Sequence, residues 1–385
     1  MKASWDIFCT AVDNFGDVGV TFRLARQLVA EHDMKVRLWV DDLSAFVRLC
    51  PGADAKAELQ WHDGVQVCFW PGDWQPAEPA DVVIEAFACR LPPAYIEAMK
   101  ARNPRPLWLN LEYLSAEEWV TGCHGLPSLQ SSGIQKFFFF PGFRPSTGGL
   151  LREAGLIDRR HAFEQNPTAR QAFLADLGIY PQADARLISL FAYEHAGLGS
   201  WLDCLAHSQA HSSVQDAQPT HLLVPEGRII SDVERWLGVD GLRAGAVHVR
   251  GDLTIQVLPF VRQKDYDLLL WCCAFNVVRG EDSFVRGQWA GRPLIWHIYE
   301  QDDDAHWAKL DAFLELYLAG LSEDAGQSLT QVWRNWNAGQ DMTQSWSALE
   351  KHRDELTRHA ERWCLERALQ DDLTTALVQF YRNWI

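Results

Sequence analysis

The sequence predicts an α/β protein made of two tandem halves, each a largely parallel sheet with helices on both faces. Three observations carry this. The chain has 385 residues, beyond the roughly 250–300 at which one hydrophobic core stops growing. Its 48% hydrophobic content can fill two cores. Short apolar runs alternate with amphipathic stretches over residues 5–110 and again over 186–298, the pattern of parallel strands joined by crossover helices.

Taken in order, 5–12 reads as a buried strand, and 18–31 repeats apolar residues at helical spacing through Phe22, Leu24, Ala25, Leu28 and Val29. Residues 35–40 read as a second strand, completing a βαβ unit. Further strands are expected at 65–70, 81–87, 106–110 and 137–140, with a helix over 92–101 whose prolines suit its start. Glycine and proline turns with short helical segments fill 141–184, and the junction between halves is placed there. The second series runs strand 186–191, helix 199–207, strand 221–225, helix 231–237, strand 247–250, strand 266–271, helix 282–290 and strand 293–298. From about residue 345 helix formers dominate and no strand signal remains, so one or two closing helices are expected.

Thirty-five basic against 51 acidic residues leave a net charge of −16. That charge repels phosphate backbones and anionic surfaces, which argues against nucleic-acid and membrane binding and favours a cationic partner. The nine cysteines are scattered and odd in number without a CxxC pair, as expected of reduced thiols in a cytoplasmic protein rather than a disulfide framework or zinc site. No signal peptide is recognisable in MKASWDIFCTAV, and no apolar run approaches the roughly 20 residues that span a bilayer.

Two stretches carry the chemistry. The first, VDNFGDVG at 12–19, lies where the first strand gives way to the first helix. A dinucleotide loop there uses GxGxxG so that pyrophosphate approaches the backbone. This stretch has only Gly16 and Gly19, and its carboxylates Asp13 and Asp17 repel phosphate. Asp17 either caps the helix, with Asp13 in an Asx-turn, or both acids line a cleft where they hold a cation or take a proton.

The second is NVVRGEDSFVRGQWAGRPLIWHIYEQDDD at 276–304. Asp282 or Ser283 suits the cap of the following helix, whose N–H groups with Arg279 offer an anion site. Glu281 is placed to accept from ribose hydroxyls; the alternative is an exposed, salt-bridged helix start. Phe191 and Tyr193 end a strand where ligands bind in open α/β sheets. The acid runs Asp41-Asp42 and Asp302-Asp303-Asp304 read as solvated loops rather than metal sites, since no ligand spacing accompanies them.

IFCTAVDNFGDVGVTFRLARQL, WVDDL and VVRGEDSFVRGQWAGRPLIWHIYEQ, colinear over most of the chain, resemble the bacterial protein-arginine rhamnosyltransferases that modify elongation factor P. The resemblance implies a GT-B fold, two Rossmann-like domains facing across a cleft with C-terminal closing helices. It implies an acceptor domain over 1–178, with 360–385 packing back on it, and a donor domain over 179–359. The donor is then dTDP-β-L-rhamnose, the acceptor one loop arginine in the N-terminal domain of elongation factor P, and transfer is inverting without metal or cofactor. Ala274 and Glu300 stand where the family more often has an acid and a proline.

Carried over by position, Asp17 is the general base and Asp13 its catalytic partner, with Asn14, Phe15 and Gly16 lining the acceptor and sugar pocket. Glu281 corresponds to the essential glutamate. Arg279, Asp282, Ser283 and Tyr193 meet the diphosphate, and Phe191, Gln256 and Phe260 frame the nucleotide. The competing readings are a GT-B transferase of another sugar or acceptor, a nucleotide-binding partner of elongation factor P without chemistry, and, more distantly, a nicotinamide dehydrogenase, which the missing GxGxxG disfavours.

Overall fold

The computed structural model describes residues 2–384 except 12–15, 71–73, 75–76, 131–132 and 208–217. The chain divides into two compact units, Met1–Ala154 with Arg367–Ile385, and Gly155–Glu366.

The first unit holds an eight-stranded sheet in the order β3-β4-β2-β1-β5-β6-β8-β7. Its strands are β1 (Ser4–Cys9), β2 (Lys35–Val40), β3 (Leu59–His62), β4 (Val65–Phe69), β5 (Val82–Ala86), β6 (Leu107–Leu111), β7 (Pro127–Leu129) and β8 (Gln135–Phe139). The inner strands pair in parallel, and β3 and β7 pair antiparallel at the two edges. Every residue of β5 and β6 is buried, as a sheet covered on both faces requires. Helix Gly16–His32 carries the crossover from β1 to β2. The strand order reverses at β1, because β2 lies on one side and β5 on the other. Ligands bind outside the C-terminal ends of strands at such a reversal.

The second unit repeats the plan with six strands in the order β11-β12-β10-β9-β13-β14. These are β9 (Arg186–Leu190), β10 (Thr220–Pro225), β11 (Val247–Arg250), β12 (Leu253–Leu258), β13 (Phe275–Arg279) and β14 (Leu294–His297). All pairings are parallel except that of β11 at the edge. Here the order reverses at β9, between β10 and β13.

Three expectations need correction. Residues 266–271 are not a strand but the centre of helix Gln263–Cys272, in which Tyr266, Asp267, Leu269, Leu270, Trp271 and Cys272 are all buried. A helix buried on most sides loses the polar stripe that marks its period. The strands at this point of the chain are β12 and β13. The division between units falls at 154/155 rather than 178/179, because helices Leu156–Glu164 and Pro167–Asp176 are tied into the second unit. Arg160 donates to the carbonyl of Ala290 (2.7 Å), Arg170 to that of Cys272 (3.1 Å), and Arg292 pairs with Glu164 (2.8 Å). Beyond residue 342 there are three helices, Thr343–Glu350, Arg353–Ala368 and Leu373–Trp384.

The last of these helices packs within the first unit. Asp372 accepts from Gln27 (3.0 Å), Thr374 bonds His32 (3.1 Å), the amide of Leu373 donates to the carbonyl of Leu150 (3.0 Å), and Tyr381 meets Trp5 edge-on at 5.9 Å.

Candidate active site

In the first unit the chain leaves β1 at Cys9, at the strand reversal. The amide of Ala11 donates to Asp41 (2.9 Å), which anchors the start of the loop to the end of β2. Asp13, Asn14 and Phe15 lie outside the described residues. Helix Gly16–His32 then begins, with Asp17 in its first turn and 4% exposed. The Thr21 hydroxyl donates to the Asp17 carbonyl (2.9 Å), a bond within the helix. Burial pushes the Cys9 thiol well above its ordinary range, against a lowering bond from Thr21, and the carboxylates of Asp17 and Asp41 push it further. Both acids therefore sit in Coulomb range of the end of β1. A carboxylate in the first turn of a helix is favoured as the anion by the dipole, which suits a group that must be a base at neutral pH.

The other strand at this reversal, β5, is followed by Phe87 and Ala88, two successive non-glycine residues at φ of +57°. Such left-handed geometry in residues with side chains is a local strain that packing must hold. Phe87 is stacked on Tyr113 at 4.7 Å, with the rings 21° apart. Nothing in EAFACR advertises this pair; only its position after a reversal strand does. Asp42, the neighbour of Asp41, caps helix Leu43–Leu49 through the amides of Ser44 and Ala45. That accounts for both acids of this run without a metal.

In the second unit β13 delivers Arg279 to the reversal, and Gly280, at φ +61°, turns the chain into helix Asp282–Trp289. Trp296 donates its indole N–H to the Gly280 carbonyl (2.8 Å) and stacks on Phe284 at 4.0 Å, which fixes the turn. The capping position is Glu281, not Asp282 or Ser283, and its side chain makes no capping bond. The Ser283 hydroxyl instead accepts from the Arg279 amide (3.1 Å) and donates to the Arg279 carbonyl. No side-chain bond caps the helix at its Glu281 position. Asp282 accepts from Gln263 at 3.4 Å.

Arg279 is 9% exposed and lies over two rings from the end of β9, Phe191 at 4.5 Å and Tyr193 at 4.8 Å. Arg228, which follows β10, lies over Tyr193 at 5.3 Å. Tyr266 meets Phe191 edge-on at 6.0 Å, and burial keeps its phenol protonated. His297, at the end of β14, meets Tyr193 edge-on at 5.2 Å. Burial, with the nearby His195, Arg279 and Arg228, pushes its imidazole down to about 3, so it is neutral at physiological pH. Phe260 lies two residues beyond β12, at the same sheet edge. Gln256 sits within β12, two residues before its end, bonded to His221 (3.0 Å) and to the Gly178 carbonyl (2.9 Å). Arg228 was missed by sequence reading, although applying the strand-end rule to β10 as well would have found it.

Among the described residues no group of three or more His, Cys, Asp or Glu side chains is arranged to hold a metal ion. None of the described helices is long and apolar enough to cross a membrane. None of the nine cysteines is in a disulfide.

Two Rossmann-like α/β units followed by C-terminal helices give the chain the GT-B fold. A glycosyltransferase from Rickettsia africae ESF-5 has the same fold, with a TM-score of 0.53 at 10% identity over 99% of this chain and 98% of the other. The chain belongs to the elongation factor P (EF-P) rhamnosyltransferase family, EarP, whose sequence pattern matches residues 5–382. It is 61% identical to a protein-arginine rhamnosyltransferase of Pseudomonas putida and 56% identical to that of Pseudomonas aeruginosa, each over the whole of both chains. A structure solved to explain EarP-mediated arginine glycosylation of translation elongation factor EF-P superposes with a TM-score of 0.72 at 46% identity, both chains covered in full. The family and the fold class expected from the sequence are both found.

Proposed function

We propose that this member of the family transfers L-rhamnose from dTDP-β-L-rhamnose to one loop arginine in the N-terminal domain of elongation factor P, in the cytoplasm, by direct displacement with inversion. The observation that carries the proposal is the coincidence of both motifs with strand reversals: the acidic one after β1, the anion-ready one after β13.

The division of labour follows from charge. Arginine is a poor nucleophile, protonated with a pKa above about 12 and with delocalised lone pairs. The first unit supplies carboxylates to such a cation. Asp17 takes the proton as the C1–N bond forms, and Asp13 orients the planar fork by paired hydrogen bonds. The second unit supplies donors to an anion. Arg279 and the start of helix Asp282–Trp289 receive the diphosphate, Phe191 and Phe260 frame the nucleotide, and Glu281 accepts from the donor's hydroxyls. As the guanidinium nitrogen attacks C1, the bond from C1 to the diphosphate oxygen breaks and its electron pair leaves with dTDP, giving an α-linked rhamnosyl-arginine. This scheme needs neither metal nor cofactor.

Intact-mass analysis of elongation factor P after incubation with this protein and dTDP-rhamnose tests the reaction. A gain of one deoxyhexose on a single arginine, α-linked by NMR, is expected. Binding without a mass change leaves only a nucleotide-binding partner, and a β-linkage overturns the displacement. Separately, Glu281→Ala is expected to weaken dTDP-rhamnose binding in calorimetry; an affinity equal to that of the unsubstituted protein removes Glu281 from the donor site.

A further inference from the structure

Tyr193 carries guanidinium groups from both neighbouring strands. Arg279 from β13 lies 4.8 Å from its ring centroid and Arg228, following β10, lies 5.3 Å from it. Tyr193 itself follows β9, the strand between them, and is 7% exposed. Two guanidinium groups are thus gathered on one ring at a strand reversal, and paired guanidinium groups are the usual partners of phosphoryl oxygens.

The two arginines differ in how they are held. Arg279 is buried, whereas the side chain of Arg228 is 44% exposed and its Nε bonds Glu194 at 2.9 and 2.8 Å. Glu194 adjoins Tyr193 in sequence. Burial pulls its carboxyl up, but the bond from Arg228 holds it below the usual carboxylate range, so Glu194 is ionised and competes for that guanidinium.

We propose that Arg228 is a second ligand for the donor diphosphate, and that Glu194 holds it until the diphosphate displaces that carboxylate. The inference rests on the donor-site reading above. When the bond from C1 to the diphosphate breaks, the electron pair left on the terminal phosphate oxygen adds a negative charge to the leaving group. A cation that meets that charge as it develops lowers the barrier rather than merely tightening binding. Arg228 therefore contributes to kcat as well as to affinity.

Calorimetry with dTDP and with thymidine tests this on two variants. Arg228→Gln is expected to weaken dTDP by about tenfold or more, leave thymidine unchanged and lower kcat. Glu194→Gln is expected to tighten dTDP severalfold, because the competing charge is gone. The pair is solvent-exposed and contributes little to stability, so both variants fold; an unchanged thermal midpoint checks it. Unchanged dTDP affinity in Arg228→Gln overturns the proposal, as does equal weakening of thymidine. So does Glu194→Gln weakening dTDP as Arg228→Gln does, which marks the pair as structural. If the unsubstituted protein binds no dTDP, the donor-site reading itself falls and takes this inference with it.

Discussion

Replacing Asp17 by asparagine is expected to lower rhamnosyl transfer by at least about a hundredfold, the scale of losing the general base proposed for it, and to leave dTDP affinity unchanged. The substitution keeps the side chain's shape and its capacity to accept a hydrogen bond, so the helix start at Gly16 is preserved. What the proposed mechanism loses is the site for the proton. Since Asp17 belongs to the first unit and the proposed diphosphate donors to the second, binding and transfer are expected to separate in this variant. Single-turnover transfer and dTDP calorimetry on the same preparation read the two effects. Turnover near that of the unsubstituted protein would mean that the proton goes elsewhere.

The second large effect is on stability. Asp267, on helix Gln263–Cys272, holds Arg286, on helix Asp282–Trp289, through paired bonds of 2.6 Å to both carboxylate oxygens. The Arg286 side chain is fully buried. Asp267→Ala removes a charge partner from a buried cation and is expected to cost about 3–5 kcal/mol, read as a downward shift of the urea midpoint. The helix that presents Glu281, Asp282 and Ser283 loses its tether at the same time. Replacing both partners, Asp267→Leu with Arg286→Met, is expected to recover most of the loss, because no unpaired charge remains. A loss below about 1 kcal/mol in Asp267→Ala would show that the pair does not tie these helices together.

Much of this architecture is legible in the sequence where one face of an element is polar. The helix after β1 and the strand at 35–40 are found because Phe22, Leu24 and Leu28 recur at helical spacing and KVRLWV is short and bounded. The reading fails where burial is complete. YDLLLWCC has no polar stripe, so its length gives the only clue that it is helical. The short edge strands β3 and β7 are equally silent, since each has only three or four residues and alternates weakly with exposed neighbours.

The candidate site was legible in a different way. Acids where phosphate should sit, and RGEDS before a helix, are chemical anomalies that stand out without any knowledge of pairing. Arg228 and the stacked Phe87 and Tyr113 are ordinary residues in ordinary surroundings, and they become notable only when the strand order puts them at an edge. Which residue takes the cap position is likewise a matter of dihedral angles: RGEDS offers three acceptors, and backbone geometry puts Glu281 there without a side-chain capping bond.

The placement of helix Leu373–Trp384 bears on how the protein is made. The first unit is discontinuous: helix Gly16–His32, which carries Asp17, meets partners at Asp372 and Thr374 that the ribosome produces only after the whole of 155–366. At typical synthesis rates of ~5–20 residues per second that interval is on the order of ten to forty seconds. The uninterrupted second unit can close meanwhile, so the order of completion runs opposite to the order of synthesis. The half that bears Asp17 is finished last, and a nascent chain stalled before that return lacks the Asp372 and Thr374 partners of helix Gly16–His32.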